Sequence, residues 1–302
     1  MKKENNIMKK IGLIPVVSVF SIFSLGTVNL AQAGADDVLS YQLYYANKSS
    51  SQTETDPYDL FGLYTYYGFG KNSIEFAVDG QSSKNYPDGS PVDAALVYGN
   101  YDIPNVTLKV GGRAADIDNV FNQTNIGFLG AQYTQYSPYG FVKWLVGVDA
   151  YVLDAEDDVN GVDSTQISPY VGGYVVTEQI PKGHSLFLKL QINRQSSDGN
   201  PLLSVDSSYE SAQLSTTYAT PSWSTGLDLI GGKSHNLIES SAFVYNSDFY
   251  NYEAGAKVWG SLSLGKTSYI KPWVKVQNVE KTANNTTVDQ LYTVGVLIGA
   301  SF

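Results

Sequence analysis

At 302 residues without cysteine, the chain has room for one large domain, and it can form neither a disulfide framework nor a thiolate metal site. A formal charge of −10 argues against a nucleic-acid partner, because phosphate binding needs a basic surface. The 23 tyrosines and 28 glycines, against only 2 methionines, point to an all-β protein.

The first element is the one long apolar run. Lys2, Lys3, Lys9 and Lys10 lead into the largely apolar segment 11–30. Ala31-Gln32-Ala33 then supplies a small-x-small cleavage pattern before Gly34, so 1–33 reads as a cleavable signal peptide. A permanent anchor fits less well, since Pro15 and Gly26 interrupt the run. Removing four Lys and one Glu with that segment would leave a mature charge of −13. No later segment approaches the ~18 consecutive apolar residues of a membrane helix, which leaves a soluble exported protein or a membrane barrel.

From residue 34 onward the pattern is alternation. Ile74, Phe76 and Val78 oppose Glu75 and Asp79, and Val106, Leu108 and Val110 oppose Thr107, Lys109 and Arg113. Val142, Trp144, Val146 and Val148 oppose Lys143, Gly147 and Asp149. Leu186, Leu188, Leu190 and Ile192 oppose Phe187, Lys189, Gln191 and Asn193, while Ile270, Pro272, Val274 and Val276 oppose Lys271, Trp273, Lys275 and Gln277. A wall with lipid on one side and a polar lumen on the other produces this period of two, although a β-sandwich also alternates. Turn lengths separate the two. Tight connections at 69–72, 103–105, 137–140, 180–183 and 220–222 alternate with longer polar ones at 47–57, 83–91, 115–122, 154–164 and 195–202. Short periplasmic turns and long outer loops give that rhythm; a Greek-key sandwich does not.

The expected strands are 37–47, 57–68, 72–82, 92–102, 105–114, 122–136, 140–153, 165–177, 184–195, 203–218, 222–232, 252–264, 268–279 and 288–302. That count is fourteen, with twelve or sixteen as alternatives, and it assigns 233–251 to a long outer hairpin extension or to two further strands. Tyr66, Tyr67, Tyr101, Tyr136, Tyr139 and Trp223 suit aromatic girdles. In the last strand Tyr292, Val294, Val296, Ile298, Ala300 and Phe302 share one face. An alternating final strand with a terminal aromatic resembles the β-signal of Gram-negative outer-membrane β-barrel proteins. The resemblance spans about a dozen residues and is one of class. It implies an all-β antiparallel transmembrane barrel over 34–302, an outer-membrane location, and engagement of the barrel-assembly machinery through Tyr292 and Phe302.

By parity Glu75, Asp79, Lys109, Arg113, Lys143, Asp149, Lys189, Asp228, Lys257, Lys271 and Lys275 face the lumen. They would either set a transverse field across a wet channel or brace the wall as salt bridges. A Lys or Arg on the lipid face would cost about 2–4 kcal/mol at mid-depth. The loop carrying Asp154, Glu156, Asp157, Asp158 and Asp163 is the densest acidic stretch. It reads first as a solvated loop and second as a divalent-cation or lipopolysaccharide contact, since Ile167 stands where an EF-hand loop needs a bidentate Glu. The histidines are His184, in a tight turn, and His235, beside Ser234 in the outer segment; no hydrolase motif surrounds either, so no enzyme is expected.

No cofactor is expected. The leading function is a porin-like channel for small hydrophilic solutes, in contact with outer-membrane lipid and lipopolysaccharide. The alternative is a non-conducting structural or adhesive barrel that binds through its acidic loops, and a third reading, less favoured, is a barrel hydrolase using His235.

Overall fold

The computed structural model describes residues 38–50, 58–83, 92–117, 121–136, 142–155, 163–175, 180–181, 183–198, 207–235, 238–239, 244–245, 250–265, 267–281 and 288–302. The expected signal peptide lies outside the described residues.

Fourteen long strands close into one antiparallel barrel among the described residues. In chain order they are β1 (Val38–Ser50), β2 (Tyr58–Phe69), β3 (Asn72–Ser83), β4 (Val92–Asn100), β5 (Val106–Ile117), β6 (Phe121–Tyr136) and β7 (Val142–Ala155). There follow β8 (Ser164–Val175), β9 (Ser185–Ser197), β10 (Ser208–Ala219) and β11 (Trp223–Gly232). The two-residue strands β12 (Ser234–His235), β13 (Ile238–Glu239) and β14 (Val244–Tyr245) come next. The wall ends with β15 (Tyr250–Ser263), β16 (Ser268–Lys281) and β17 (Val288–Ser301). Each wall strand pairs with its chain neighbours, β11 pairs with β15, and β17 returns to β1.

The expected fourteen strands are therefore the ones that form, rather than twelve or sixteen. Among the described residues of 233–251, Ile238 pairs with Tyr245 and Ser234 with Tyr252. These pairings add no wall strand because they are two residues long, too few to cross a bilayer.

Closure is sealed at the chain's end. Leu39 N–H donates to the Phe302 carbonyl at 3.1 Å, and Phe302 N–H donates back at 2.8 Å. The rings of Tyr41 and Phe302 meet on the outside with centroids 5.7 Å apart. At the same end β2 and β3 join through Gly70 and Lys71, where Gly70 takes φ +54, a value a two-residue hairpin needs and glycine adopts freely.

The two faces of the wall differ sharply. Leu43, Leu63, Phe76, Leu96, Val110, Leu129, Val148, Ile167, Leu190, Leu214, Leu229, Val258, Val274 and Val294 all point outward and are exposed. Such an apolar surface is stable only against lipid. The exposed ion pair Lys71–Asp102 sits at the short-turn end and Arg194–Glu210 near the long-loop end, away from mid-depth.

Four expectations on side-chain direction change. Tyr66 points inward and is buried, Tyr101 shares a hydrogen bond with Ser73 at 3.2 Å, and Tyr136 packs against the buried cluster of Val142, Leu145, Tyr170 and Phe187, so none of the three belongs to an outer girdle. Tyr67 and Trp223 are exposed as a girdle requires, and Tyr139 lies outside the described residues. Lys143 is exposed rather than inward: Gln135 pairs with Trp144 and Tyr136 with Val142, so a bulge leaves Lys143 out of the ladder. One extra residue reverses the parity of what precedes it, which puts Val142 on the buried side.

Candidate functional site

Because alternate residues of every strand turn inward, the inner wall can be assembled row by row from the pairing. On β8–β10 it is rich in amides and hydroxyls, with Lys189 as the one buried charge. Gln166 donates to Ser168 at 2.9 Å, Gln191 to Asn193 at 2.8 Å, and Asn193 to Ser211 at 3.2 Å. On β2–β7 a buried cluster of Tyr64, Tyr66, Val97, Ile126, Phe128, Tyr151 and Leu153 interrupts the polar surface. Inward apolar residues such as Val97 break the simple rule that lumen means polar.

The ionised residues form two arrangements. The first is a brace on β3–β5. Lys109 Nζ reaches Glu75 Oε1 at 2.5 Å, and the Tyr64 hydroxyl donates to Glu75 Oε2 at 2.8 Å. Arg113 bridges Asp79, at 3.0 Å, and Asp93 on the neighbouring strand, while the Tyr44 hydroxyl donates to the other oxygen of Asp79. Glu75 is fully buried, and a carboxylate there is tolerable only with a cation and donors in place.

The second arrangement is a belt. Seven wall strands run toward the long-loop end, and at one level six of them place an inward charge, with alternating sign: Glu75 on β3, Lys109 on β5, Asp149 on β7, Lys189 on β9, Asp228 on β11 and Lys271 on β16, while Asp79, Arg113, Lys275 and Lys48 lie nearer the long-loop end of β3, β5, β16 and β1. Tracing the paired rows places each group level with its predecessor's row, or two or four residues nearer the short-turn end. Rows β10–β11, β11–β15 and β15–β16 continue the same descent. Tilted strands drop in this way around a barrel, so the six groups share one level. Asp149 lies within electrostatic reach of Lys109 and Lys189, Lys189 of Asp228, and Lys271 of Asp228. The seventh strand, β1, offers buried Gln42. An odd ring cannot alternate throughout; a seventh charge of either sign would meet a like neighbour.

On the sequence-predicted residues, the structure turns Glu75, Asp79, Lys109, Arg113, Lys189, Asp228, Lys257, Lys271 and Lys275 inward and buries them, with Asp149 beside them. Lys143 alone leaves the set. Three contributors were not anticipated: Asp93, the second carboxylate on Arg113; Lys48, whose Nζ is 3.5 Å from the Tyr252 hydroxyl; and Trp259, over whose ring Lys271 Nζ lies at 3.8 Å. Asp93 alternates with Ala95 and Val97, so its parity was readable but its partner was not. Lys48 was assigned to a loop because β1 runs three residues further than expected.

In the acidic loop, Asp154 and Asp163 are exposed, and Glu156, Asp157 and Asp158 lie outside the described residues. No group of three or more His, Cys, Asp or Glu residues suited to a metal occurs among the described residues. His184 Nδ1 is hydrogen-bonded to the Tyr218 hydroxyl near the short-turn end, and the His235 backbone pairs with Asn251. Tyr292 and Phe302 are both exposed on the outer face of the closing region.

No family model matches the chain, and no curated protein matches its sequence. Solved structures do match. A bacterial polysaccharide outer-membrane secretin is 7% identical with a TM-score of 0.51, covering 87% of this chain and 98% of its own. The TodX deltaS2S3 mutant monoaromatic hydrocarbon channel is 7% identical with a TM-score of 0.50, covering 90% and 91%. At such identities the likeness is one of fold, and together with the apolar exterior it gives this chain the architecture of a transmembrane β-barrel of the outer-membrane kind.

Proposed function

We propose that the barrel is a porin-like channel for passive diffusion of small hydrophilic solutes. The observation that carries this reading is the belt of alternating charge on six of the seven strands that run toward the long-loop end. A wall that needed only bracing would close every acid on a base within contact, as Glu75 and Lys109 do. Asp149 forms no salt bridge among the described residues, and Lys271 Nζ forms no hydrogen bond among them. Separated charges around a lumen set a transverse field that orders ions and dipolar solutes in passage. Fourteen strands also leave more interior than the eight whose side chains fill a barrel. The two structural neighbours are named for different cargoes, and fold does not choose between them.

A second reading, a non-conducting structural barrel with adhesive loops, draws on the deep burial of the same wall, where Glu75 is 0% and Lys271 2% exposed. Planar-bilayer recording of the purified protein separates the two. Stepwise currents whose reversal potential shifts with a salt gradient support the channel; silence at all voltages supports the structural barrel.

A further inference from the structure

The inner wall is not evenly charged. Among the described residues it carries seven bases (Lys48, Lys109, Arg113, Lys189, Lys257, Lys271 and Lys275) and five acids (Glu75, Asp79, Asp93, Asp149 and Asp228). Four of the bases, Lys48, Lys257, Lys271 and Lys275, fall on β15, β16 and β1, with Asp228 on adjoining β11 as the one acid of that sector among the described side chains. The rest of the wall therefore holds four acids against three bases, and the whole excess of positive charge lies on one side.

Register fixes how these lysines follow one another. Asp228 pairs with Lys257, Lys257 with Lys275, Lys275 with Thr293, and Thr293 with Lys48. On tilted strands this single row climbs toward the long-loop end, so Lys48 stands highest, then Lys275, then Lys257. Lys271 lies one strand-turn lower, four residues below Lys275 on β16, at the level of the belt. Adjacent strands are about 4.8 Å apart and residues rise about 3.3 Å each, so along the wall Lys257 and Lys275 stand about 5 Å apart, Lys48 about 10 Å beyond Lys275, and Lys271 about 13 Å below it.

Two features give this track its character. Lys257 and Lys275 are directly opposite across the ladder, a like-charge pairing with Asp228, opposite Lys257, as the acid of the same row. Lys271 is 2% exposed, its Nζ has no hydrogen-bond acceptor among the described residues, and it rests on the Trp259 ring, whose own buried Nε1–H is likewise without an acceptor. The surplus on this face is of donors and positive charge. Its chemical complement is an acceptor with negative charge.

We propose that the lysines on β15, β16 and β1 form an oxyanion track, with Lys271 and the Trp259 indole N–H as its inner binding subsite. It takes solutes bearing a carboxylate or phosphate group and passes them from Lys48 through Lys275 and Lys257 to Lys271. Lys257 lies 5.0 Å from the Trp273 ring centroid, and each indole lies against a glycine of the neighbouring strand, Gly226 for Trp259 and Gly295 for Trp273. The rings thus hold the lysine stems to the wall rather than obstruct the passage. This inference rests on the channel reading and names the solute class for it.

The test is a reversal-potential measurement under a KCl gradient, followed by addition of gluconate, inorganic phosphate or glucose to one side. Wild type should favour chloride over potassium. Gluconate and phosphate should both reduce the chloride current at concentrations where glucose does not, and the more effective of them identifies the natural group. Lys271→Gln and Lys275→Gln should each lower the anion preference about threefold, the Coulomb effect of one unit charge about 7 Å away in water. Lys271→Arg should restore it, which shows that loss in the Gln variant is of charge and not of fold. Currents that persist with unchanged selectivity in both Gln variants overturn the track while leaving the channel standing. A silent wild-type protein overturns the channel reading and this inference with it.

Discussion

Replacing Lys109 by Met keeps the length of the side chain and removes its charge. Glu75, with no exposed surface, then loses the ammonium at 2.5 Å and keeps only the Tyr64 hydroxyl at 2.8 Å. Breaking a buried pair from one side costs about 3–5 kcal/mol, because the charge left behind has neither water nor partner. The Tyr64 hydrogen bond places the expected loss near the lower end, about 3 kcal/mol. Adding Glu75→Gln to Lys109→Met leaves a neutral amide that still accepts from Tyr64, so the double variant should recover to within about 1 kcal/mol of the parent. Urea unfolding of the barrel refolded in phospholipid vesicles, followed by tryptophan emission, gives both values from the midpoints and slopes. A loss below about 1 kcal/mol in the single variant, the size expected of an exposed pair, refutes the buried-brace reasoning.

Three further outcomes follow from the same geometry. Leu129 is outward and 61% exposed in the middle of β6, so Leu129→Lys should destabilise the barrel by about 2–4 kcal/mol in vesicles, and an effect near zero would contradict the assigned lipid face. Gly295→Val would put a side chain 2.5 Å from Trp273, and overpacking of about 1–3 kcal/mol should appear as a lowered urea midpoint with displaced tryptophan emission; an unchanged spectrum would contradict the seating of that indole. Deleting Phe302 removes both backbone bonds to Leu39 and the contact with Tyr41, so it should slow insertion into the outer membrane in cells, read as accumulation of protein in the periplasm; normal insertion would contradict its role in assembly.

The fold was legible because a membrane barrel imposes its period on every strand. The alternation in 185–193 and 270–277 reports lipid on one side directly, and those stretches fell on β9 and β16 with inward and outward faces as expected. What parity could not reveal is anything that depends on pairing. Lys143 is misdirected by a bulge visible only when β6 and β7 are aligned. Asp93 shares the inward face of Ala95 and Val97 by parity, but nothing in that spacing names Arg113 as its partner. The charged residues themselves were readable one by one, but the belt and the lysine row are properties of register. Residues as distant in sequence as Glu75 and Lys271 share a level only after tilt and pairing are known. The indole of Trp259 was hidden for a similar reason: its role depends on Gly226 of the adjacent strand leaving room for it.

The central claim is that the belt of charge faces a water-filled passage. The chain has no cysteine, so a single one placed at Asp149 reports that position alone. In planar bilayers, the Asp149→Cys variant should react with a small, charged, membrane-impermeant thiol reagent and lose current as it does, while Leu129→Cys on the lipid face should stay unlabelled. A thiol at position 149 that never reacts, in a barrel shown to be folded, would contradict the account.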